Sequence, residues 1–206
     1  MDRMESKQGQ FEAMERHLME DSCPSEYFKG LDKAGALREH PFSMLLHLKD
    51  AQQSPEHHPE GNVWNHTMLV IDEAAKAKEK SSDPRVFMWA ALLHDLGKPG
   101  TTRVRKGRIT SYDHDKLGAK LAYEFLSPFV HDTTFVEKVC ALVRWHMQIL
   151  FVVKGLPFAD IPAMKSQTSI DDVALLGLCD RLGRLNPDRE KEERNVRDFL
   201  EKCRTK

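Results

Sequence analysis

Most of the chain has apolar residues at helical spacing. Apolar side chains recur every three or four positions and the positions between them are polar, which is the pattern of an amphipathic helix. Asp83-Pro84 marks one clear helix start, because Asp is a good cap and Pro is favoured in the first turn. The segments predicted to be helical are 8–21, 25–37, 64–80, 84–95, 116–126, 133–147, 169–182 and 187–204.

One stretch breaks this pattern. Residues 101–112 alternate β-branched and basic side chains on either side of Lys106-Gly107, which predicts a β-hairpin. The predicted fold class is therefore mostly α, a helical bundle with one small hairpin. The predicted organisation is an N-terminal helical arm (1–21), a main domain (22–186) and a charged C-terminal helix (187–206) that is expected to be a solvated face.

Composition argues against several classes of function. The 206 residues have a formal net charge of −1, so no overall basic field attracts nucleic acid or an anionic membrane. The four cysteines are far apart and lack Cys-x-x-Cys spacing, as expected for reduced thiols. No apolar signal segment opens the chain, and its longest apolar run, Val86–Leu93, is much shorter than a membrane span. We therefore expect a cytoplasmic protein without a membrane partner.

Histidines and aspartates supply the candidate chemistry. His94 and Asp95 follow an apolar helix directly, and Gly97 and Lys98 come next. Adjacent residues on a helix diverge by about 100°, so this pair can approach one ion only at a helix end. Histidine and carboxylate donors suit a divalent first-row ion better than a structural zinc, for which thiolates are typical. The candidate ligands are His66, His94, Asp95, His114, His146 and Asp180.

The spacing of these candidates is that of separate helices in one bundle. Successive intervals are 28, 20, 32 and 34 residues from His66 through His94, His114 and His146 to Asp180, each about one helix and a loop. A single histidine in an apolar helix is more often a packed side chain than a ligand. That ordinary interpretation applies to His17, His40, His47 and His131.

Five motifs in order resemble a known family. The sequence resembles the HD-domain metal-dependent phosphohydrolases, whose pattern is His, His-Asp and a distant Asp, and in particular the HD domain of bacterial CCA-adding tRNA nucleotidyltransferases. The similarity covers roughly residues 22–185 and implies that 22–186 is an HD domain. The motifs are Cys23-Pro24 through Ala36-Leu37, His58 through Thr67, His94-Asp95-Leu96-Gly97-Lys98, Asp113-His114 with Gly118-Ala119, and Asp180 with Gly183-Arg184.

This resemblance implies a reaction and a substrate class. HD domains hydrolyse phosphomonoesters and 2′,3′-cyclic phosphates, so the expected partner is a phosphorylated small molecule, a nucleotide or an RNA end. The nucleotidyltransferase head of those enzymes, with its glycine-serine motif and paired aspartates, has no counterpart in these 206 residues, so tail polymerisation is not expected.

The resemblance also assigns roles to residues. His66, His94, Asp95 and Asp180 are expected to hold one divalent ion, and Asp95 is expected to bridge to a second ion held by His114 and His146. The ion, one or two per chain, is Mn, Fe, Co, Ni, Zn or Mg, because these donors discriminate weakly. Asp95 and Lys98 are the expected catalytic residues. The expected substrate-binding residues are His58, Lys98, Arg103, Arg105 and Arg184.

Three alternatives stay open. The basic residues Arg103, Arg105, Lys106 and Arg108 can guide an anionic substrate or simply form a solvated hairpin. The same six ligands also suit a di-iron oxygenase. A non-catalytic nucleotide-binding or RNA-binding module is the third alternative, and the sequence does not define the oligomeric state.

Overall fold

The computed structural model describes residues 3–56 and 58–205, which form a helical bundle with one hairpin. This confirms the predicted mostly α fold class. In chain order the α-helices are α1 (Arg3–Glu20), α2 (Pro24–Lys33), α3 (Ser43–Leu46), α4 (Val63–Ala77), α5 (Pro84–Leu93), α6 (Lys98–Thr101), α7 (His114–Leu126), α8 (Thr133–Trp145), α9 (Gln148–Val153), α10 (Ile161–Lys165), α11 (Ile170–Leu182) and α12 (Arg189–Arg204). The strands are β1 (Arg103–Arg105) and β2 (Arg108–Thr110), and two short 3-10 helices are His47–Lys49 and Lys78–Lys80.

Helix α5 is the centre of the apolar core. Residues 86–93 are all buried, and the helix packs against α1, α4, α8 and α11. A helix surrounded in this way has no polar face, which explains why its segment is a continuous apolar run. Its start is as predicted, because the Asp83 side chain accepts a hydrogen bond from the Val86 amide and Pro84 opens the first turn.

Helix α1 packs into the same core. Phe11 stacks on Trp89 at a ring-centroid distance of 4.7 Å and on Phe129 at 4.8 Å, and Met14 and Leu18 are fully buried. Stacked aromatic pairs of this kind add about 0.5–1.5 kcal/mol each to the free energy of unfolding beyond the area they bury. The segment predicted to be an arm therefore shares its core with α5, while the domain boundary at position 21 stays a prediction.

Helix α12 is packed more deeply than the sequence predicts. The prediction that this helix is a solvated face is wrong for one side of it. Phe199 and Cys203 are fully buried there, and Val196 and Leu200 pack against the core. These four residues follow the i, i+3, i+4, i+7 spacing of one helix face and form an apolar stripe that lies on α9 and α11.

The hairpin is confirmed in place and register. Val104 pairs with Ile109 across β1 and β2, and the turn residues Lys106 and Gly107 have φ angles of 50° and 75°. Two successive residues with positive φ are typical of the tight turn that matches strand twist. Within the described part of the chain, no helix has both the length and the apolar character needed to cross a membrane.

Some helices end earlier than predicted because histidines terminate them. Helix α5 ends just before His94 and α8 just before His146, and each ring Nδ1 lies 2.7–2.8 Å from a carbonyl three residues earlier. A side chain bonded to the last turn satisfies a carbonyl that has no helical partner. The short helices α9 and α10 are not predicted, since five or six residues are too few to show a periodicity.

Candidate metal centre

The predicted His94-Asp95 pair lies in a tight turn between α5 and α6. Both residues are 1% exposed, and the Lys98 amide donates to the Asp95 carbonyl across this turn at 2.9 Å. His94 keeps helical backbone angles as the C-terminal cap of α5, and the turn brings its side chain and that of Asp95 to one interior position. His94 Nε2 lies 3.2 Å from Asp95 Oδ2.

Three imidazoles are held in the same tautomer. The Nδ1 atoms of His94, His114 and His146 lie 2.7–2.8 Å from the carbonyl oxygens of Ala91, Ser111 and Val143. A carbonyl accepts only, so each Nδ1–H donates and each Nε2 keeps its lone pair. This is how proteins orient histidines that bind a metal.

Asp95 divides the histidines into two groups. Its Oδ2 faces His94 and, at 4.0 Å, Nε2 of His66, whereas its Oδ1 lies 3.5 Å from Nε2 of His114 and 3.9 Å from Nε2 of His146. Within each group, His66 with His94 and His114 with His146, the donor atoms and an Asp95 oxygen all lie within 4.8 Å of one another. One carboxylate shared by two donor sets is the arrangement expected of a bridging ligand.

The donor atoms fit a divalent cation. His94 Nε2 and Asp95 Oδ1 are buried without a hydrogen-bond partner, and Asp95 Oδ2 faces the Lys98 ammonium group at 2.7 Å. The Nε2 atoms of His114 and His146, which both carry lone pairs, face each other at 3.3 Å. A buried hydrogen-bond acceptor without a donor lowers the stability of the folded protein. A cation that binds to its lone pair removes this penalty.

Burial keeps two of these histidines neutral. It lowers the pKa of His146 to about 4 and also lowers the pKa of His114. Burial would raise the pKa of Asp95, but the electrostatic interactions with His94 and Lys98 outweigh it and hold that pKa well below its usual range. Near pH 7 His114 and His146 are thus neutral and Asp95 is ionised, the forms that bind metals.

Asp180 joins this site through His66. Its Oδ1 lies 2.9 Å from His66 Nε2, across 114 residues of sequence, which confirms that α4 and α11 bring the two together. Burial would lower the pKa of His66, but the hydrogen bonds to Asp180 and Glu60 outweigh it and raise that pKa. Burial would raise the pKa of Asp180, but the hydrogen bond from His66 outweighs it and holds that pKa well below its usual range.

Glu60 is a site residue that was not among the sequence candidates. Its Oε1 lies 2.8 Å from Nδ1 of His58 and 3.1 Å from Nδ1 of His66, and its side chain is 2% exposed. Burial alone would raise the pKa of Glu60, but the hydrogen bonds from both histidines outweigh it and the pKa falls well below its ordinary value. Glu60 therefore orients His58 and His66. Its signal in the sequence is its place between His58 and the first turn of the helix that carries His66.

Lys98 is close to the shared carboxylate. Its Nζ lies 2.7 Å from Asp95 Oδ2 and donates to the side-chain oxygen of Gln53 at 2.8 Å. Gln53 is buried, and its own amide nitrogen has no partner. Sequence reasoning did not identify Gln53, because a single glutamine in an irregular loop follows no pattern.

Two glycines allow the elements of the site to approach. A Cβ at Gly97 would lie 2.0 Å from the carbonyl oxygen of His114, so only glycine lets the His94-Asp95 turn touch the start of α7. A Cβ at Gly183 would lie 2.8 Å from the backbone of Val70, and the Gly183 carbonyl also lies 3.1 Å from His66 Nδ1. Both contacts bring helix ends from distant parts of the sequence together.

The centre opens into a cleft of about 430 Å³. His58, Lys98 and Arg184 line it, as expected for substrate-binding residues. Arg103 and Arg105 do not, because both lie on the exposed hairpin, and their role stays a prediction. Residues of the cleft that the sequence did not suggest are Met147, Leu150, Lys154, Gly177, Arg181, Lys191, Glu192 and Asn195.

Part of the chain matches the model of a known protein family. Residues 63–151 match the HD domain family. The resemblance inferred from the sequence is thus confirmed for this segment. The HD domain match contains His66, His94, Asp95, His114 and His146, while Asp180 and Arg184 lie beyond it.

Curated relatives carry the name Multifunctional CCA protein. That of Actinobacillus pleuropneumoniae serotype 5b is 36% identical over 123 residues, 60% of this chain and 29% of the relative. That of Thioalkalivibrio sulfidiphilus is 32% identical over 136 residues, 66% of this chain and 31% of the relative. That of Methylococcus capsulatus is 29% identical over 187 residues, 89% of this chain and 37% of the relative. The chain therefore spans about a third of the length of these relatives.

Proposed function

We propose that this protein is a metal-dependent phosphohydrolase that cleaves a phosphomonoester or a 2′,3′-cyclic phosphate of a nucleotide or RNA end. The proposal rests on one observation. The histidine Nε2 atoms form two groups, and each group lies near a different carboxylate oxygen of Asp95. The match to the HD domain and the cationic cleft above the centre support it. The cytoplasmic location expected from the sequence stays a prediction.

Each ligand has a proposed place. His66, His94, Asp95 and Asp180 would hold one divalent ion, and His114 and His146 would hold a second that shares Asp95. A bound ion of this kind supplies Lewis-acid stabilisation of phosphoryl oxygens and a more acidic water. Whether the ion is Mn, Fe, Co, Ni, Zn or Mg does not follow from nitrogen and oxygen donors alone.

Cationic side chains complete the proposed site. Lys98 is fixed by Asp95 and Gln53, so its ammonium group is already in place to stabilise negative charge on a phosphoryl oxygen. Arg184 lines the same cleft, and its Nη2 atom lies 4.0 Å from Asp180 Oδ1. Arg184 would bind a phosphate of the substrate from this cleft.

The proposal is tested by metal content and by one substitution. Elemental analysis of the purified protein should find one or two divalent ions per chain. Asp95→Ala should lower the rates of hydrolysis of adenosine 2′,3′-cyclic phosphate and of 4-nitrophenyl phosphate by at least about 100-fold, because loss of a metal ligand reduces both metal affinity and activity. Circular dichroism should still show the helical fold, because the substitution opens no apolar cavity and the one ion pair it removes, that with Lys98, lies within the centre.

A matched control is Asp198→Ala, which removes an exposed carboxylate from α12 and should leave both rates unchanged. Undiminished turnover in Asp95→Ala contradicts the assigned role. Absence of bound metal, together with no uptake of Mn, Fe, Co, Ni, Zn or Mg, contradicts the whole proposal and favours a non-catalytic binding module.

The same metal-loaded protein distinguishes the hydrolase from a di-iron oxygenase. Carboxylate and imidazole donors also suit iron, but the cations of the cleft favour a phosphate-bearing substrate. Oxygen consumption by the iron-loaded protein without release of phosphate would select the oxygenase.

A further inference from the structure

The cleft has a second wall that the proposed chemistry does not use. Three elements build it outside the set of metal ligands: the residue after α9, the last turn of α11 and the first turn of α12. Each contributes one basic side chain, which are Lys154, Arg181 and Lys191. We call these three residues, with Arg184, the basic wall.

One member of the basic wall is already paired. The Nη1 atom of Arg181 lies 2.9 Å from Glu192 Oε2, and Asn195 donates to the same oxygen at 2.9 Å. Glu192 is the only carboxylate among the lining residues of this cleft that is not a candidate metal ligand. The charge of Arg181 is therefore compensated locally.

The other members are not compensated. Among residues 3–56 and 58–205, no carboxylate pairs with Lys154 or Lys191, although both side chains line the cleft. Arg184 has a buried Nε without a hydrogen-bond partner, and its nearest carboxylate, Asp180, is itself a candidate ligand. Among the described residues, Lys154 and Lys191 thus have no anionic partner, and the one carboxylate near Arg184 belongs to the metal centre.

Like charges gathered in a concave site favour a bound anion. Each cation repels the others in the cleft, and an anion bound among them offsets that repulsion. Phosphate suits the set, because guanidinium groups bind its oxygens in pairs and lysine binds it as a point charge. The cleft volume of about 430 Å³ lies in the range of sites for whole small molecules and exceeds the needs of a single phosphoryl group.

We propose that Lys154, Lys191 and Arg184 form a second anion site, which takes a phosphate other than the one that is cleaved. The substrate is then a nucleotide with two phosphate groups, one at the metal centre and one on the basic wall. This inference rests on the proposed function, because it assigns the first phosphate to that centre.

Matched substrates test the inference. Adenosine 3′,5′-bisphosphate is compared with adenosine 3′-monophosphate, and adenosine 2′,3′-cyclic phosphate with and without a 5′-phosphate. We expect kcat/KM to be at least about tenfold higher for the member with the extra phosphate, mainly through a lower KM. A dinucleotide with the same cyclic end shows whether the wall takes a terminal phosphate or one within a chain.

A double substitution removes the wall's free charges. Lys154→Ala with Lys191→Ala should reduce the preference for the extra phosphate to within about twofold and leave substrates with one phosphate unchanged. The matched control is Lys120→Ala with Lys138→Ala, which removes the same charge from exposed positions that do not line the cleft and should keep the preference. Equal kcat/KM for both members in the unmodified protein overturns the second site, as does an equal loss for both in the double variant.

Binding separates the two possible failures. Calorimetric titration of the purified protein with adenosine 3′,5′-bisphosphate and with adenosine 3′-monophosphate needs no turnover. If no compound is hydrolysed with any metal, the proposed function fails, whereas tighter binding of the bisphosphate that is lost in the double variant still establishes the second site. Equal binding of both compounds overturns it.

Discussion

The metal centre and the basic wall face the same cleft but are built differently. At the centre, short side chains are almost fully buried, and a backbone carbonyl lies within hydrogen-bond distance of each of the four imidazole rings. On the wall, Lys154 and Lys191 are exposed lysines that have no partner among the described residues. Buried, oriented donor atoms need little rearrangement when they bind a metal ion. Flexible surface cations contribute mainly long-range attraction to an anionic substrate. We therefore expect substitutions at the centre to act on turnover and fold, and those on the wall to act on substrate binding.

The largest expected effect is at the centre's closest backbone contact. Gly97→Ala places a Cβ against the backbone of His114, which cannot yield without moving the start of α7. We expect the free energy of unfolding to fall by about 2–3 kcal/mol and the bound metal to fall with it. Chemical denaturation and elemental analysis measure the two quantities.

Gly100→Ala is the control for this prediction. Its Cβ would meet only the side-chain tip of Leu117, which can rotate away. Equal destabilisation by the two substitutions would show that the contact between Gly97 and His114 has no special role.

The next largest effect separates the two groups of ligands. His146→Gln removes a donor that serves only the Oδ1 side of Asp95, so one ion should be lost and the other retained. We expect turnover to fall by about 100-fold at an almost unchanged melting temperature. His131→Gln, at an exposed histidine, is the control. Full retention of metal in His146→Gln would contradict a shared carboxylate with two separate ligand sets.

A smaller effect is expected on the hairpin. Replacing Arg103, Arg105, Lys106 and Arg108 with alanine removes charges that lie outside the cleft. If they steer an anionic substrate, KM should rise by about two- to fivefold at low salt and return to its original value at high salt, because exposed charges are screened within a Debye length. Kinetics at two ionic strengths measure this, and an unchanged KM at low salt identifies the hairpin as a solvated surface.

The smallest functional effect is expected for the thiols. Burial raises the pKa of Cys179 to about 12 and that of Cys140 to about 11, so both thiols stay protonated near pH 7. The exposed Cys23 should react with a maleimide in the folded protein, whereas Cys179 should react only after unfolding. Mass spectrometry of labelled peptides gives the rates. Fast labelling of Cys179 in the folded protein would mean that α11, which carries Asp180, opens readily.

Much of the metal centre was predictable from local sequence. A His-Asp pair after an apolar helix, and histidines one helix and a loop apart, are sufficient to suggest ligands because helix ends leave side chains free to converge. The helices and hairpin were predictable for the same reason, since their periodicities are local. The short helices α9 and α10 and the packed stripe of α12 were not, because few residues carry each signal.

The basic wall was decided by tertiary structure alone. The sequence directs attention to the hairpin, where basic residues are close together in the chain, yet Arg103 and Arg105 lie outside the cleft. Lys154 and Lys191 are far apart in the chain and come together only because α9 and α12 pack against each other. The pairing of Glu60 with His58 and His66 also depends on loop geometry. Local sequence thus determined the donors of the centre, and long-range packing determined which charges surround them.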